Sequence, residues 1–240
     1  MRLTLVRHAT LLLELGGKRL LVDPMLGDAG AYPPVENTPN PVRNPLVPLP
    51  QLPLDRLDAL LVTHLHNDHW DAAARERLPK ELPVLTQPPS AGAIRDAGFA
   101  DVRPVAGELE WEGIRFARTG GRHGHGAVAD ALAPVSGFVL RASGEPLLYL
   151  AGDTVWCDEV EAALAAHRPD VAVMNAGGAR FLDSEPITMD AADVARVAER
   201  VPRVVAVHLD AVNHCVETRA ELRAAVPGVA VPADGETLEF

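Results

Sequence analysis

Residues 64–69 read His64-Leu65-His66-Asn67-Asp68-His69. Four side chains able to bind a metal (His64, His66, Asp68 and His69) fall within these six positions. Imidazole offers a neutral nitrogen and Asp a hard oxygen. That mixture suits zinc, with manganese or iron as alternatives, rather than calcium. The chain has only 9 histidines in 240 residues, so a polar turn that gathered these donors by chance is improbable. Two more histidines, His123 and His125, lie in Gly121-Arg122-His123-Gly124-His125-Gly126. The glycines on both sides would let either one approach a metal.

The donor run follows the apolar stretch Ala59-Leu-Leu-Val-Thr63, which reads as a strand, and precedes a helical pattern over Asp71–Leu78. Further strands are expected at Leu3–Val6, Thr10–Leu15, Arg19–Val22, Val84–Thr86, Ile114–Ala117, Gly137–Arg141, Leu147–Ala151, Val171–Met174 and Val204–His208. Gly16-Gly17 reads as a hairpin turn between the second and third of these early strands. Helical patterns occupy Ala91–Ala97, Asp158–His167, Ala191–Arg200 and Thr218–Ala225. Thr188 is the expected N-cap of the Ala191 helix, with Asp190 favourably set against its dipole.

Strands come first, then mixed elements, then alternating strand and helix. That order predicts an α/β (α+β) fold, a four-layer αββα sandwich in a single domain over residues 1–240. Residues 24–55 break the pattern: nine of the 21 prolines fall between Pro24 and Pro53, with little hydrophobic periodicity. A loop of this length is either a surface excursion or a semi-rigid rim over an active site. Asp23 ends the Arg19 strand, and the Pro24 that follows biases it toward an extended backbone.

The run His64–His69 resembles the HxHxDH motif of the metallo-β-lactamase superfamily, and the other motifs of that family follow in order. Leu21-Val-Asp23-Pro24 looks like the first, the His123 loop the third-histidine motif, Leu150-Ala-Gly152-Asp153-Thr154 the bridging-aspartate motif, and Val205-Ala-Val-His208 the last. The resemblance implies two divalent metal ions: His64, His66 and His123 on one, Asp68, His69 and His208 on the other, and Asp153 between them. It favours His123 over His125, which is left to contact substrate or face solvent. Asp23 is implied as an outer partner accepting a hydrogen bond from a ligand's ring. His8 and His214 are brought near the metal loops, with a structural role favoured for each.

His8-Ala9-Thr10, Ala176-Gly177-Gly178 and the short length look most like the L-ascorbate-6-phosphate lactonase-like branch, which implies a lactone or another small ester as substrate. Two cations would lower the pKa of a bridging water from ~16 toward ~7, supplying hydroxide at neutral pH. Asp68 and His208 are then the candidate catalytic residues, with Asp68 managing the leaving group's proton.

Composition narrows the alternatives. With 22 Lys plus Arg against 33 Asp plus Glu, the net charge is -11, a field that repels phosphate backbones and anionic membranes. A small-molecule substrate is expected, with no nucleic-acid or membrane partner; a homo-oligomer is compatible with the sequence. A small phosphodiester is the enzymatic alternative. A redox centre of the diiron kind would show a carboxylate at His66, and a metal-stabilised binding module would lack ligands, yet every position is filled. Cys157 and Cys215 are too few for a disulfide framework. The apolar run at the start is interrupted by Arg7, His8 and Glu14, unlike a signal peptide. The cytoplasm is the expected compartment.

Overall fold

Leucine alternation builds the first sheet. In β1 (Arg2–Arg7), β2 (Thr10–Leu15) and β3 (Lys18–Val22), the side chains of Leu3, Leu5, Leu11, Leu13, Leu20 and Val22 enter one core. Leu21, on the opposite face of β3, enters another, as the two-residue period of a strand requires. Gly16 and Gly17 close the β2–β3 hairpin at φ 58° and 74°, a left-handed pair that glycine adopts without steric cost.

The computed structural model describes residues 1–51 and 56–240. Positions 52–55, at the end of the proline-rich segment, lie outside the described residues. β4 (Ala59–Val62), β5 (Val84–Thr86) and β6 (Val102–Pro104) extend the sheet in parallel from β3, and β13 (Thr237–Glu239) pairs antiparallel with β1. The resulting order is β13-β1-β2-β3-β4-β5-β6. The second sheet begins with antiparallel β7 (Glu108–Trp111), β8 (Ile114–Thr119), β9 (Gly137–Ala142) and β10 (Leu148–Leu150). It ends with β11 (Val171–Asn175) and β12 (Arg203–Val207), parallel to β10.

The two sheets enclose a core in which Leu5, Leu13 and Leu61 meet Phe116, Phe138 and Val205. On the outer face of the first sheet, Ala74 of α1 (Ala72–Arg77) and Ile94 of α2 (Ala91–Asp96) pack with Leu60, Val62 and Val84. On the outer face of the second, α4 (Asp158–His167), α5 (Ala191–Ala198) and α6 (Arg219–Ala225) contribute Val160, Val194 and Leu222. The layers are therefore helix, sheet, sheet, helix, as the element order implies. Each fully buried aliphatic side chain contributes roughly 1.5–3 kcal/mol relative to exposure.

Among the described residues, three strands and one α-helix were not read from the sequence: β6, β7, β13 and α3 (Gly126–Leu132), the last of which buries no residue. The N-cap of α5 is also corrected. Asp190, not Thr188, adopts the extended cap conformation, and its carboxylate accepts from Asp193 N. Thr188 is instead drawn away, its Oγ1 accepting from Ala179 N at 3.0 Å. Among the described residues no helix is long and apolar enough to cross a membrane.

Candidate metal centre

Seven chain segments leave the sandwich along one edge. β1 delivers His8, β3 delivers Asp23, and β4 delivers Thr63 and His64; β8 leads to the His123 loop, β10 to Asp153, β11 to Asn175 and β12 to His208. Parallel strands from both sheets thus present their carboxyl ends together, the place where such sheets bind ligands. Two sets of donor atoms form there, each within 4.8 Å of one another: His64, His66, His123 and Asp153, and His8, Asp68, His69 and His208.

Asp153 reaches both sets. Its Oδ2 lies 3.3 Å from His123 Nε2 and 3.3 Å from His69 Nε2, while Oδ1 is 3.4 Å from His208 Nε2. Asn175, a residue the sequence did not single out, donates from Nδ2 to Asp153 Oδ1 at 2.7 Å. It fixes the plane of the carboxylate.

Outer contacts fix the imidazoles in turn. Asp23 accepts from Thr63 N and Thr63 Oγ1, both at 2.7 Å, and from His69 Nδ1 at 2.9 Å. One carboxylate thereby holds the strand end and turns His69 Nε2 inward. Asp23 does not take the extended backbone expected before proline: its φ is 42°, and three side-chain bonds hold that left-handed geometry. His123 Nδ1 donates to Ile187 O at 2.8 Å, again leaving Nε2 to the centre. His208 Nδ1 lies 3.4 Å from Cys215 Sγ. Gly177 is required beside it, since a Cβ there would sit 2.4 Å from His208 O.

His8 lies within the donor set of Asp68, His69 and His208. Its Nε2 is 3.1 Å from Asp68 Oδ2, and its ring lies 3.6 Å, centroid to centroid, from that of His208. Both residues are left-handed, at φ 59° and 68°, joined by His208 N donating to His8 O. Such strain costs about 1–3 kcal/mol per residue and concentrates at functional sites. His125 goes elsewhere: its side chain is 52% exposed, with Nε2 3.7 Å from Glu185. Of the two neighbouring histidines, only His123 joins the cluster.

Several buried atoms face the centre without a hydrogen-bond partner, among them His69 Nε2, His208 Nε2 and Asp153 Oδ2. Buried polar atoms are nearly always paired, so convergent orphans on nitrogen and carboxylate donors fit a cation. The electrostatics of the cluster come from the mutual contacts of its histidines and carboxylates. Burial opposes charge on Asp153, yet His69, His208 and His123 hold its carboxyl well below the usual range. Burial likewise opposes charge on His69, but Asp153, Asp68 and Asp23 raise its imidazole well above the ordinary value. At His8 and His64 burial wins, and both are pushed well down.

A cavity of about 490 Å³ opens beside the cluster. His66, Asp68, His123 and His214 line it together with apolar groups that include Met25, Tyr32, Pro34, Val35, Leu65 and Phe181. Among the described residues no Lys or Arg lines it. His214 belongs to neither donor set; it is 5% exposed, its Nε2 lies 4.0 Å from Asp68 Oδ2, and burial lowers its pKa to about 4.

Comparison with known proteins agrees with this geometry. A family described as beta-lactamase superfamily domain matches residues 2–208, and the chain belongs to it. It is a hydrolase of the metallo-β-lactamase fold. It is 35% identical over 257 residues to the UPF0173 protein YddR of Bacillus subtilis, covering 100% of both chains. A structure described as a possible metal-dependent hydrolase from Veillonella parvula superposes with TM-score 0.96 at 37% identity, covering 100% of this chain and 99% of that one. An isothiocyanate hydrolase from Delia radicum gut bacteria superposes with TM-score 0.93 at 36% identity, with the same coverage.

Proposed function

We propose that the protein is a binuclear hydrolase acting on a small, uncharged electrophile with an apolar substituent, an isothiocyanate first and an unphosphorylated lactone or ester second. The observation that carries this reading is the cavity: apolar over most of its lining, without a cationic side chain among the described residues, and open to both donor sets. A substrate with a remote phosphate, as in the ascorbate-6-phosphate lactones, would find no cation there to receive it. Similarity over the whole chain to an isothiocyanate hydrolase supports the first choice.

His64, His66, His123 and Asp153 would hold one divalent ion; Asp68, His69 and His208, with Asp153 shared and His8 adjacent, would hold the other. Zinc suits a set dominated by imidazole, with manganese or iron as alternatives. When bound, two such ions supply Lewis acidity and make water nucleophilic near neutral pH. The chain's own residues do the rest. Asp23, Ile187 O and Asn175 hold His69, His123 and Asp153 in their orientations. The apolar wall takes the substituent and excludes water. His214 faces the reacting group, and Asp68 handles the proton.

For an isothiocyanate, water adds across N=C=S to give a thiocarbamic acid, which splits into the amine and carbonyl sulfide. The test is a panel of benzyl isothiocyanate, a γ-lactone, a phosphodiester and a β-lactam with the purified, metal-loaded protein. Amine release from the isothiocyanate with the highest kcat/KM is expected. Preferred cleavage of the phosphodiester or the β-lactam would overturn the reading.

A further inference from the structure

Residues 32 and 44 form an isolated antiparallel bridge, with Tyr32 N donating to Asn44 O at 2.8 Å and Asn44 N to Tyr32 O at 3.0 Å. The chain between them is a closed loop within the proline-rich segment, and its Pro33, Pro34 and Val35 form one wall of the cavity. Nothing in that loop buries a sizeable apolar core. Its interior is instead filled by a side chain from the other end of the molecule, Asn213, only 1% exposed and five residues beyond His208.

The amide of Asn213 is saturated. Oδ1 accepts from Val35 N at 2.9 Å and from Asn44 Nδ2 at 2.7 Å. Nδ2 donates to Thr38 Oγ1 at 2.7 Å, to Asn40 O at 2.6 Å and to Val35 O at 3.1 Å. The backbone N of Asn213 adds a bond to Asn44 Oδ1 at 2.9 Å, and Leu46 N donates to Ala211 O at 2.8 Å. Asn44 and Asn213 are thus reciprocally paired across 169 positions of sequence.

The next residue, His214, faces the cavity. One short loop therefore carries His208 of the donor set, the plug of the rim and the cavity-facing imidazole in succession. A change of position in the rim is transmitted directly to the spacing between the apolar wall and the donors.

We infer that Asn213 is a positioning residue for substrate: it locks the proline-rich rim at a fixed distance from the metal edge, and so sets the width of the apolar site and the affinity for the substrate's substituent. The inference rests on the reading of the cavity as the substrate site. Asn cannot be replaced here by a simple acceptor or a simple donor, because its two ends serve opposite partners. A loop held this way is pre-formed, so binding would not have to order it.

The test compares metal-loaded wild type with Asn213→Ala and, should that variant fail to fold, with Thr38→Val, which removes the hydroxyl that accepts from Asn213 and donates to Val35 O and Asn40 O. Hydrogen exchange at the amides of Tyr32, Val35 and Asn44 is read alongside metal content, kcat and KM for benzyl isothiocyanate. Asn213→Ala should speed exchange at these amides, raise KM by about tenfold or more and leave metal content at the wild-type level. Thr38→Val should shift exchange and KM in the same direction by less. Unchanged exchange in a folded variant overturns the inference, as does a fall in kcat or metal content at constant KM, which would mean that Asn213 acts through His208 and His214. Should wild type hydrolyse nothing in the panel, the functional reading fails, and the exchange data still decide the role of Asn213.

Discussion

The metal edge and the proline-rich rim share the loop that runs from His208 to His214, yet they treat buried polar groups in opposite ways. At the edge, His69 Nε2, His208 Nε2 and Asp153 Oδ2 are buried without partners. In the rim, Asn213 uses both ends of its amide and Asn44 is bound reciprocally. Leaving a buried donor or acceptor unpaired costs about 1–3 kcal/mol, so the edge carries a penalty that a cation would relieve. Among the described residues, the rim carries none. The contrast separates chemistry from scaffold: convergent unsatisfied atoms mark where a ligand goes, and saturated ones mark what holds the wall around it.

The strongest way to break this contrast is at the carboxylate shared by both donor sets. Asp153→Ala should abolish metal retention and reduce turnover by more than the ~10–100-fold typical of outer partners, as measured by metal analysis and panel kinetics. Retained metal with only a modest loss of rate would place the centre elsewhere.

The neighbouring histidines come next. His123→Ala should strip metal and activity, whereas His125→Ala, on a side chain 52% exposed and outside the cluster, should keep both. The reverse metal contents would show that the loop changes its register when metal binds. A smaller effect is expected from Asp23→Asn, which keeps shape and one acceptor but cannot receive Thr63 N on one atom and Thr63 Oγ1 and His69 Nδ1 on the other. A ~10–100-fold loss of metal affinity with the fold intact is the expected result. Wild-type affinity would reduce Asp23 to a turn former.

The smallest effect sharpens the other side of the comparison. Asp71 caps α1 through Ala74 N and also receives Gly27 N and Tyr32 OH, so it ties the rim to the helix. Asp71→Ala should cost about 1–3 kcal/mol of stability, seen in thermal denaturation, with metal content unchanged. Loss of metal at constant stability would merge the two regions into one.

Much of the donor set could be read from the sequence because it is local: His64, His66, Asp68 and His69 come from six consecutive positions at a strand end. The strands of the inner core were legible for a similar reason, since Leu3–Val6 and Thr10–Leu15 are compact apolar runs. α3 was not, because a helix that buries no residue carries no apolar period. β7 and β13 alternate polar and apolar residues, but at four and three residues they are too short for that period to stand out. Thr188 and Asp190 are both good capping types, and what decides between them is that Thr188 accepts from Ala179 N while Asp190 accepts from Asp193 N. Asn175, Cys215 and Asn213 act through partners far away in sequence or through a single contact, so no spacing announces them. The backbone of Asp23 went against the local bias of Pro24 because Thr63 and His69 hold it from across the sheet edge.

Metal stoichiometry tests the central claim most directly. Protein stripped with chelator, titrated with zinc and measured by elemental analysis should saturate at two ions per chain, and Asp153→Ala should not. Saturation of the wild-type protein at one ion per chain would contradict the proposal that Asp68, His69 and His208, with Asp153 shared, hold a second ion.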